Sequence, residues 1–336
     1  MTEIFYTPYP ASDGGNRYLN ETVKAIESIP SVTVFPVPIG KRKKLNFFFS
    51  NVTSRKDCVV LNWHENLLRK KDKLSISCVF SFFVYLLYYR LVFRRVVYVR
   101  HNMYPHGMKG YSAKLAGILV NLAERFCTLK VAHSGHLCSR GYKYVPHPLY
   151  QPASLSERNS SYSNNYFLIF GRVERYKKIE SIISEWGNRH QLLIAGSSKD
   201  KAYVEELRQL SQEKNIKILS EFIQESAARN LVANAKAVIL AHDGDDMIVS
   251  GSFFYAISMG TPVYSVKTDF LNWVKNENRF DGVLTFNSSK DIVQYVNESK
   301  YDFLSPLLEV RENAEKLFGE RAVFISWNKI FSEINM

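Results

Sequence analysis

The amino-acid sequence predicts an α/β protein built on parallel sheets, and three observations support this fold class. Short apolar strands alternate with helices along most of the chain, the links between them are short, and glycine or polar residues follow the strands. A length of 336 residues is enough for two ordinary domains. Ligands of such sheets bind at the carboxyl ends of the strands, so the residues that follow the strands are the candidate functional residues.

In the first half of the chain, strands rich in β-branched and aromatic residues alternate with helices. The predicted strands are Ile4–Tyr6, Val32–Phe35, Val59–Trp63, Val96–Arg100, Leu129–Ala132 and Tyr144–Val145. The predicted helices are Arg17–Ser28, Tyr111–Phe126 and an aromatic helix within Leu74–Tyr89. The polar stretch 154–165 has no apolar period and indicates an interdomain linker, so the first domain is expected over 1–153.

The second half repeats the strand and helix rhythm and predicts a domain over 166–312. Its predicted strands are Phe167–Phe170, Leu192–Ala195, Ile216–Leu219, Ala237–Leu240, Val263–Val266 and Val283–Phe286. Its predicted helices lie near Ile179–Trp186, Lys201–Lys214, Ser226–Asn234, Ser252–Met259 and Phe270–Lys275. The final segment, 313–336, has apolar residues at helical spacing and is expected to pack back across both domains.

Two segments of the second half suit a diphosphate. A strand ends at Gly171-Arg172, and Lys177 follows six residues after the glycine, which brings two cations to a helix start. Ser250, Gly251 and Ser252 begin a later helix without a bulky side chain over its first N–H groups. The two segments together predict a nucleotide-diphosphate site.

The charge of the chain is concentrated in its first half. Residues 1–150 hold 22 Lys and Arg against eight Asp and Glu, whereas residues 151–336 hold 22 against 24. The net charge of +12 therefore comes from the first half, which indicates an anionic partner such as acidic lipid headgroups, a phosphorylated acceptor or nucleic acid, or else a well-solvated basic face.

An apolar run at 74–89 leaves two alternatives open. It is too short to span a bilayer, so it is either a helix buried beside a sheet or a helix that lies partly in the membrane interface. Basic residues flank this run and the aromatic segment before it, and the membrane alternative assigns them to lipid phosphates: Lys41, Arg42, Lys43, Lys44, Arg90, Arg94 and Arg95.

The four cysteines are scattered without a Cys-x-x-Cys pair, and the N-terminus has no basic segment ahead of an apolar one. These features predict reduced thiols and no secretion signal. We expect a cytoplasmic protein that is peripheral on the inner face of the cell membrane.

At Phe170-Gly171-Arg172 with Lys177, at Leu192-Leu193-Ile194-Ala195-Gly196 and at Gly260-Thr261-Pro262-Val263, the chain resembles glycosyltransferases of the GT-B fold. It is most similar to the bacterial sugar transferases of capsule, exopolysaccharide and O-antigen assembly, over nearly its full length. The resemblance implies two Rossmann-like domains facing across a cleft. It also implies a nucleotide-sugar donor, with UDP-sugars favoured and GDP-sugars possible, and a polyprenyl-diphosphate-linked oligosaccharide acceptor.

The resemblance assigns roles to further residues. By this resemblance Arg172 and Lys177 bind the diphosphate of the donor, and Gly14 and Gly15 match the glycine loop that faces the diphosphate. Phe222 and Ile223 fall in the loop that holds the base, and the segment from Arg100 to His106 resembles the motif beside the reacting sugar.

One departure from the family concerns the reaction. Many retaining members carry two glutamates eight positions apart, and the aligned positions here are Met247 and Tyr255, which favours an inverting reaction. Asp246 and Met247 are expected near the donor sugar. Asp243-Gly244-Asp245 has the spacing of a metal-binding pair, but cations and helix N-termini can replace a metal, and neither a metal nor a cofactor is expected.

An inverting transfer needs a base for the acceptor hydroxyl, and the candidates Glu65, His101 and His106 each follow a predicted strand. The resulting hypothesis is a hexosyltransferase of bacterial surface polysaccharide synthesis. Three alternatives remain: a two-domain nucleotide-sugar epimerase, a catalytically inactive partner subunit, and a non-enzymatic basic protein that binds nucleic acid, although no nucleic-acid module is recognisable and no nucleic-acid partner is expected.

Overall fold

The structure is a computed structural model of the chain, and its description covers residues 2–11, 16–71, 73–105, 107–152, 165–242, 244, 248–298 and 307–335. The chain divides into two compact units. Unit 1 comprises Met1–Pro148, Asp245–Val249 and Glu320–Met336, and unit 2 comprises Leu149–Gly244 and Ser250–Gly319.

Unit 1 contains a six-stranded parallel sheet with the strand order β2-β1-β3-β6-β7-β8. A short antiparallel pair, β4 and β5, lies outside this sheet. The strands are β1 (Thr2–Thr7), β2 (Val32–Pro36), β3 (Lys56–Asn62), β4 (Arg69–Lys70), β5 (Lys73–Leu74), β6 (Phe93–Arg100), β7 (Leu129–Ala132) and β8 (Lys143–Tyr144). Because the strand order reverses between β1 and β3, their carboxyl ends form the crevice where sheets of this type bind ligands.

Helices cover both faces of the unit 1 sheet. They are α1 (Arg17–Glu27), α2 (Lys41–Asn51), α3 (Ile76–Val92), α4 (Gly110–Glu124) and the C-terminal helix Glu320–Asn335. The apolar side of α1 packs with the C-terminal helix on one face, where Trp327 is fully buried. Parts of α3 and α4 pack on the other face, around Phe82 and Val120. Helix α1, near the start of the chain, and the last helix thus share one core.

Unit 2 contains a second six-stranded parallel sheet, with the strand order β11-β10-β9-β12-β13-β14. The strands are β9 (Tyr166–Phe170), β10 (Gln191–Ala195), β11 (Ile216–Leu219), β12 (Val238–Leu240), β13 (Val263–Val266) and β14 (Val283–Phe286). This is the Rossmann order 3-2-1-4-5-6, in which the crevice lies at the carboxyl ends of the first and fourth strands, here β9 and β12.

The helices of unit 2 are α5 (Ile179–Glu185), α6 (Lys201–Leu210), α7 (Glu225–Ala233), α8 (Gly251–Ser258), α9 (Asp269–Asn272), α10 (Ser289–Glu298) and α11 (Leu307–Phe318). The C-terminal helix of the chain, Glu320–Asn335, is α12. One core lies between the sheet and α5, α6 and α10, where Trp186 and Tyr203 are buried. Phe254 of α8 packs edge-on against Phe318 of α11, with 5.2 Å between ring centroids.

The predicted strands are all present in the sheets, whereas two helices, α2 and α10, went unrecognised in the sequence. The predicted helical tail 313–336 consists of the end of α11 and of α12. The first turn of α2 is Lys41-Arg42-Lys43-Lys44, and no α2 residue is fully buried, so the segment lacks the apolar stripe that predicts a helix. The aromatic run forms α3, which buries Phe82, Leu86 and Tyr89 against the sheet but exposes other apolar residues. One side of the helix is thus buried beside the sheet, and the membrane alternative stays a prediction.

The predicted linker 154–165 lies, except for Asn165, outside the described residues. Cys58 is buried, and all four cysteines are free thiols. Within the described ranges, no helix combines the length and the apolar character needed to cross a membrane.

Candidate functional site

The centre of the unit 2 site is the end of β9. The strand stops at Phe170, and Gly171 has a φ of 101°, a conformation that L side chains rarely adopt. A Cβ at Gly171 would lie 2.9 Å from Nζ of Lys177 and 3.1 Å from Oγ of Ser252. The glycine therefore lets a cation and a helix N-terminus approach the strand end.

Lys177 and Ser252, which are 75 residues apart in sequence, meet at this strand end. Lys177 Nζ donates to the Phe170 carbonyl oxygen at 3.1 Å and lies 3.4 Å from Ser252 Oγ. Ser252 Oγ donates to the same carbonyl at 3.1 Å. The two groups that the sequence placed at a diphosphate site are thus in direct contact; we call Gly171, Lys177, Gly251 and Ser252 the β9–α8 site.

The start of α8 adds backbone donors. The Ser250 side chain is the N-cap and accepts a hydrogen bond from the Phe253 N–H at 3.2 Å. Since the first N–H groups of a helix have no carbonyl of their own helix to bind, those of Gly251 and Ser252 are the donors that an anion would use. Ser250 is buried and its side chain orients the helix start, and its assignment to the diphosphate stays a prediction.

Two further contacts hold the loops of this site. Gly196 follows β10 with a φ of 145°, and a Cβ there would lie 2.2 Å from the Gly171 carbonyl oxygen. His242 follows β12, and its Nδ1 donates to the Tyr176 carbonyl oxygen at 2.7 Å. These contacts keep the 171–177 segment close to the carboxyl ends of β10 and β12.

The charges of the site favour an anion. Burial, with a smaller contribution from the positive charge of nearby Arg172, lowers the pKa of Lys177 to about 8. Arg172 itself is exposed. A bound diphosphate would offset both effects, because an opposite charge within a few ångströms stabilises the ammonium form.

A carboxylate that sequence reasoning missed, that of Glu225, lies beside Tyr255. Its ring stacks on Phe170 with 5.0 Å between centroids, and its hydroxyl donates to Oε1 of Glu225 at 2.8 Å. Glu225 is the first residue of α7, which follows the β11 loop. Tyr255 therefore has a carboxylate beside it, contributed by a helix 30 residues away in sequence.

The loop between β11 and α7 holds the two residues expected to bind the base. Phe222 is 75% exposed and Ile223 is partly exposed. An exposed aromatic ring in a loop next to a ligand crevice can stack on a nucleobase. The assignment of both residues stays a prediction.

In unit 1, Glu65 is fully buried rather than turned toward a substrate. Its carboxylate accepts hydrogen bonds from the Tyr98 hydroxyl at 3.0 Å and from the Asn102 amide at 3.3 Å. Burial raises the pKa of Glu65 to about 7, against the opposing effect of these hydrogen bonds. With no exposed surface, this carboxyl group cannot reach an acceptor hydroxyl, and it instead holds the loop after β6.

Arg100, the last residue of β6, holds the same loop from the other side. Its guanidinium donates to the carbonyl oxygens of Asn102 and Met103 and pairs with Glu124 at 3.1 Å. Arg100 is 1% exposed, so this ion pair is buried. Removing one partner of such a pair is costly, because the other charge is left without compensation.

His101 lies in a buried polar network at the carboxyl ends of the strands. Its Nε2 is 3.1 Å from Oδ1 of Asn62, the last residue of β3, and its ring stacks on Trp63 at 4.2 Å. The Tyr18 hydroxyl of α1 lies 3.1 Å from Asn62 Oδ1 and 2.8 Å from Nε2 of His133, which follows β7. We call Tyr18, Asn62, His101 and His133 the histidine network; the sequence indicated only His101 for it.

The basic residues assigned to a membrane lie on two different parts of unit 1. Lys41, Arg42 and Lys43 are exposed in the first turn of α2, and Arg94 is exposed at the start of β6. Arg95 differs, because its Nε donates to the Ile334 carbonyl oxygen at 2.9 Å and thereby anchors the end of α12.

Several predicted site residues cannot be placed. The following lie outside the described residues: Gly14, Gly15, His106, Asp243, Asp245, Asp246 and Met247. Among the residues that are described, no group of three or more His, Cys, Asp and Glu side chains is arranged to hold a metal ion.

Comparison with solved structures relates the whole chain to glycosyltransferases. HepE from Anabaena superimposes with a TM-score of 0.67 at 16% identity, covering 99% of this chain and 100% of that one. Sucrose-phosphate synthase from Thermosynechococcus elongatus gives 0.70 at 12% identity, covering 99% of both chains. The lipopolysaccharide outer core galactosyltransferase WaaB gives 0.57 at 13% identity, covering 99% and 100%.

These similarities confirm the predicted fold class: the chain has the GT-B fold with two Rossmann-like domains. At identities of this level the likeness concerns the fold. No protein-family model matches the sequence, and a search of curated proteins gives no match either.

Proposed function

We propose that the protein is a glycosyltransferase that moves a sugar from a nucleotide-diphosphate donor to a lipid-linked oligosaccharide acceptor. The observation that carries the proposal is the β9–α8 site. There a lysine, a serine hydroxyl and the N–H groups of a helix start converge on the end of the first Rossmann strand. This arrangement stabilises negative charge on a departing diphosphate, which is the electrostatic requirement of sugar transfer.

The nature of the donor follows from the fold and the loop after β11. HepE, which shares the fold, was crystallised with UDP and with UDP-glucose. We therefore propose a UDP-sugar, with a GDP-sugar as the alternative, its base against Phe222 and its diphosphate on the β9–α8 site. Since Lys177 and Arg172 supply positive charge, we propose that the reaction requires no metal ion. The absence of a glutamate at position 255 favours inversion, although Glu225 keeps a carboxylate near Tyr255.

The first experiment measures binding of UDP and GDP by thermal shift and calorimetry. A ligand that binds only the folded state raises apparent stability by mass action. Arg172→Ala and Lys177→Ala should each lower UDP affinity about 10- to 100-fold, since a hydrogen bond to a charged group contributes about 1.5–3 kcal/mol. Lys199→Ala removes an exposed cation of the same unit and should leave the affinity unchanged. Unchanged UDP binding in both site variants would count decisively against the proposal.

A nucleotide-release assay separates transfer from the alternatives. Transfer requires a lipid-linked oligosaccharide acceptor and releases nucleotide only when the acceptor is present. An epimerase would change the donor sugar without any acceptor, and a catalytically inactive subunit would bind UDP but show neither reaction.

The membrane part of the proposal depends on an exposed apolar stripe along α3. Its residues recur at helical spacing on one side: Ile76, Phe80, Val84, Leu87 and Leu91. Ile76 is 90% exposed and Phe80 is 71% exposed. A continuous apolar stripe of this kind is unusual on a surface that faces only water.

A groove of about 440 cubic ångströms between α2 and α3 adjoins this stripe. Leu45, Phe48 and Leu87 line it, and Lys41 and Lys44 lie at its edge. Lys44 Nζ is 4.2 Å from the centre of the Tyr85 ring, and burial lowers the pKa of Lys44. Hydrocarbon and a phosphate can therefore be bound side by side, as at the surface of an anionic membrane.

The position of the cations on α2 supports an anionic partner. Four of them occupy the first turn, where the helix dipole presents its positive end. This arrangement is unfavourable without neighbouring negative charge. Lipid phosphates at the same surface would relieve it, so we propose the inner face of the cell membrane in a bacterium as the location.

Sedimentation with vesicles tests this part. The test variant replaces the four cations of the first turn of α2 by serine: Lys41, Arg42, Lys43 and Lys44. The matched control replaces four exposed lysines of unit 2 by serine: Lys199, Lys201, Lys217 and Lys290. Binding to phosphatidylglycerol vesicles at low salt should fall at least tenfold in the first variant only. Equal binding of all three proteins would remove the membrane proposal while leaving the donor site intact.

A further inference from the structure

Two cavities of unit 1 share Lys44 and Tyr85 as lining residues. One is the apolar groove between α2 and α3. The other has a volume of about 410 cubic ångströms and lies at the carboxyl ends of β1 and β3, where Thr7, Leu61 and Asn62 line it; we call it the strand-end cavity. We propose that the two cavities bind one ligand, the lipid-linked acceptor, with its lipid chain in the groove, its phosphate on Lys44 and its first sugar in the strand-end cavity. The identity of this ligand as the acceptor rests on the proposed function.

The groove has the walls that a hydrocarbon chain needs. Its apolar lining comes from both helices: Leu45, Phe48, Val84, Leu87 and Leu91. Its volume of about 440 cubic ångströms falls within the range of small-molecule sites, roughly 300–1,000 cubic ångströms. Leu45 is 56% exposed and Leu87 is 58% exposed, so a bound chain would remove apolar surface from water on both helices.

The strand-end cavity has the groups that a sugar needs. The polar side chains of Thr7, Asn62 and Asn66 line it together with the ring of Trp63. Amide side chains both donate and accept hydrogen bonds, as sugar hydroxyls do, and an aromatic ring beside a few polar groups is typical of a small-molecule site. Trp63 also has a φ of 49°, a conformation that is rare outside glycine and clusters at functional sites.

Lys44 lies where the two cavities meet. Its side chain is half-buried, and its Nζ is 4.2 Å from the centre of the Tyr85 ring. Among the residues that the structure describes, no carboxylate forms an ion pair with it. Burial lowers the pKa of Lys44, so a phosphate at this position would stabilise the ammonium form. Lys41, three residues earlier on α2, also lines the groove and provides a cation for a second phosphate.

The order of these groups favours one ligand over two. Apolar walls, a cation and then amide groups follow one another from the groove to the strand ends. A lipid-linked sugar presents a hydrocarbon chain, a phosphate and hydroxyl groups in the same order. A phospholipid of the bilayer would use the groove and Lys44, but it has no sugar for the cavity beyond Lys44.

A sugar in the strand-end cavity would lie beside the histidine network. Asn62 and Trp63 line the cavity, and both contact His101, one of the residues expected to act as base. Oδ1 of Asn62 is 3.1 Å from Nε2 of His101, and the Trp63 ring stacks on the His101 ring at 4.2 Å. Because Lys44 lines the same cavity, the site favours an acceptor with a short saccharide between its phosphate and the reacting hydroxyl.

Calorimetry with the intact protein and farnesyl diphosphate, a soluble lipid diphosphate, tests the site while saturating UDP occupies the β9–α8 site. Lys44→Met removes the charge but keeps an apolar side chain, and it should weaken binding about tenfold or more. Leu87→Gln should weaken binding through the groove. The matched controls Lys114→Met and Ile118→Gln change exposed residues of α4 and should leave the affinity unchanged. Equal binding by the native protein and Lys44→Met would overturn the proposal.

Photoaffinity labelling tests the orientation of the ligand. An alkyl diazirine ester on the distal phosphate of farnesyl diphosphate takes the place of the sugar and should label the segment 61–67, which lines the strand-end cavity. A diazirine at the far end of the lipid chain should label α2 or α3 instead. The reversed pattern, or labelling of neither region, would contradict the proposed orientation and overturn the proposal.

Competition separates this ligand from other occupants of the groove. Dihexanoylphosphatidylglycerol, a soluble phospholipid, should displace farnesyl diphosphate only at much higher concentration, and equal displacement would make the groove a general phospholipid site and overturn the acceptor assignment. A dimer in solution that Leu87→Gln dissociates would assign the groove to a second copy of the chain and overturn it as well. If farnesyl diphosphate bound as expected but no lipid-linked oligosaccharide released nucleotide, the proposed function would fail and the lipid diphosphate site would stand. If Lys44→Met retained both transfer and farnesyl diphosphate binding, the site would fail and the proposed function would stand.

Discussion

The lowered pKa of Lys177 predicts how nucleotide binding depends on pH. The ammonium form exists below the pKa, so the cation that faces a diphosphate is lost as the pH rises through about 8. At pH 7 about nine tenths of the side chains are charged, and at pH 9 about one tenth are. UDP affinity should therefore fall about tenfold between pH 7 and pH 9, which corresponds to about 1.4 kcal/mol.

Calorimetry at pH 7, 8 and 9 and constant ionic strength measures this change. The phosphates of UDP are ionised across the whole range, since the second pKa of a phosphate group is about 6, so the ligand contributes no slope of its own. Lys177→Arg provides the control, because a guanidinium stays charged throughout. Its affinity should be lower at pH 7, through altered geometry, but nearly constant up to pH 9.

Two results would refute this reasoning. A native affinity that is constant from pH 7 to pH 9 would mean that Lys177 does not hold the diphosphate or that its ammonium is not destabilised. An equal slope in the Lys177→Arg variant would mean that another group titrates.

Three further changes have expected outcomes. Gly196→Ala should abolish UDP binding and lower the melting temperature, because the new Cβ would lie 2.2 Å from the Gly171 carbonyl oxygen; calorimetry and thermal denaturation measure both effects. Phe222→Ala should weaken the binding of UDP by about 1–3 kcal/mol, because the stacking on the base is lost. The binding of inorganic pyrophosphate and the free energy of unfolding should stay unchanged. An equal loss of affinity for both ligands would contradict a role in base binding. Trp327→Ala should lower the free energy of unfolding by about 3–5 kcal/mol in urea titrations, because the side chain is fully buried. Lys329→Ala on the same helix removes an exposed side chain and should change this free energy by no more than about 0.5 kcal/mol. Similar values for the two variants would contradict the packing of α12.

Much of the fold could be predicted from local patterns. The strands of unit 2 are short apolar runs, and a polar residue or glycine directly follows every one of them except β12, so the alternation that defines a parallel sheet is visible in the sequence. The helix α2 was missed because four cations occupy its first turn and no residue of it is fully buried, which leaves no apolar period to detect. The helix is held instead by Phe47 and Phe48, which are partly buried against the core that α3 and α4 form with the unit 1 sheet.

The residues of the proposed donor site could be recognised in the sequence for a physical reason. A glycine at a strand end, a nearby lysine and a serine-rich helix start are each local signals, and the convergence of Lys177 with Ser252 follows from the strand order. Glu65 shows the limit of the same logic. It also follows a strand, but it is fully buried and hydrogen-bonded to Tyr98 and Asn102, and only burial distinguishes a structural carboxylate from a base.

By itself, the sequence determined the strands, the glycine, lysine and serine residues of the proposed β9–α8 site and the basic character of the first half, because these depend on residues close together in the chain. Only the tertiary structure decided that Glu225 lies against Tyr255, that Arg95 anchors α12 and that Tyr18 joins Asn62 to His133. Those contacts connect residues from 30 to 239 positions apart. No local preference encodes them; they arise from the order in which the strands pair and the faces on which the helices pack.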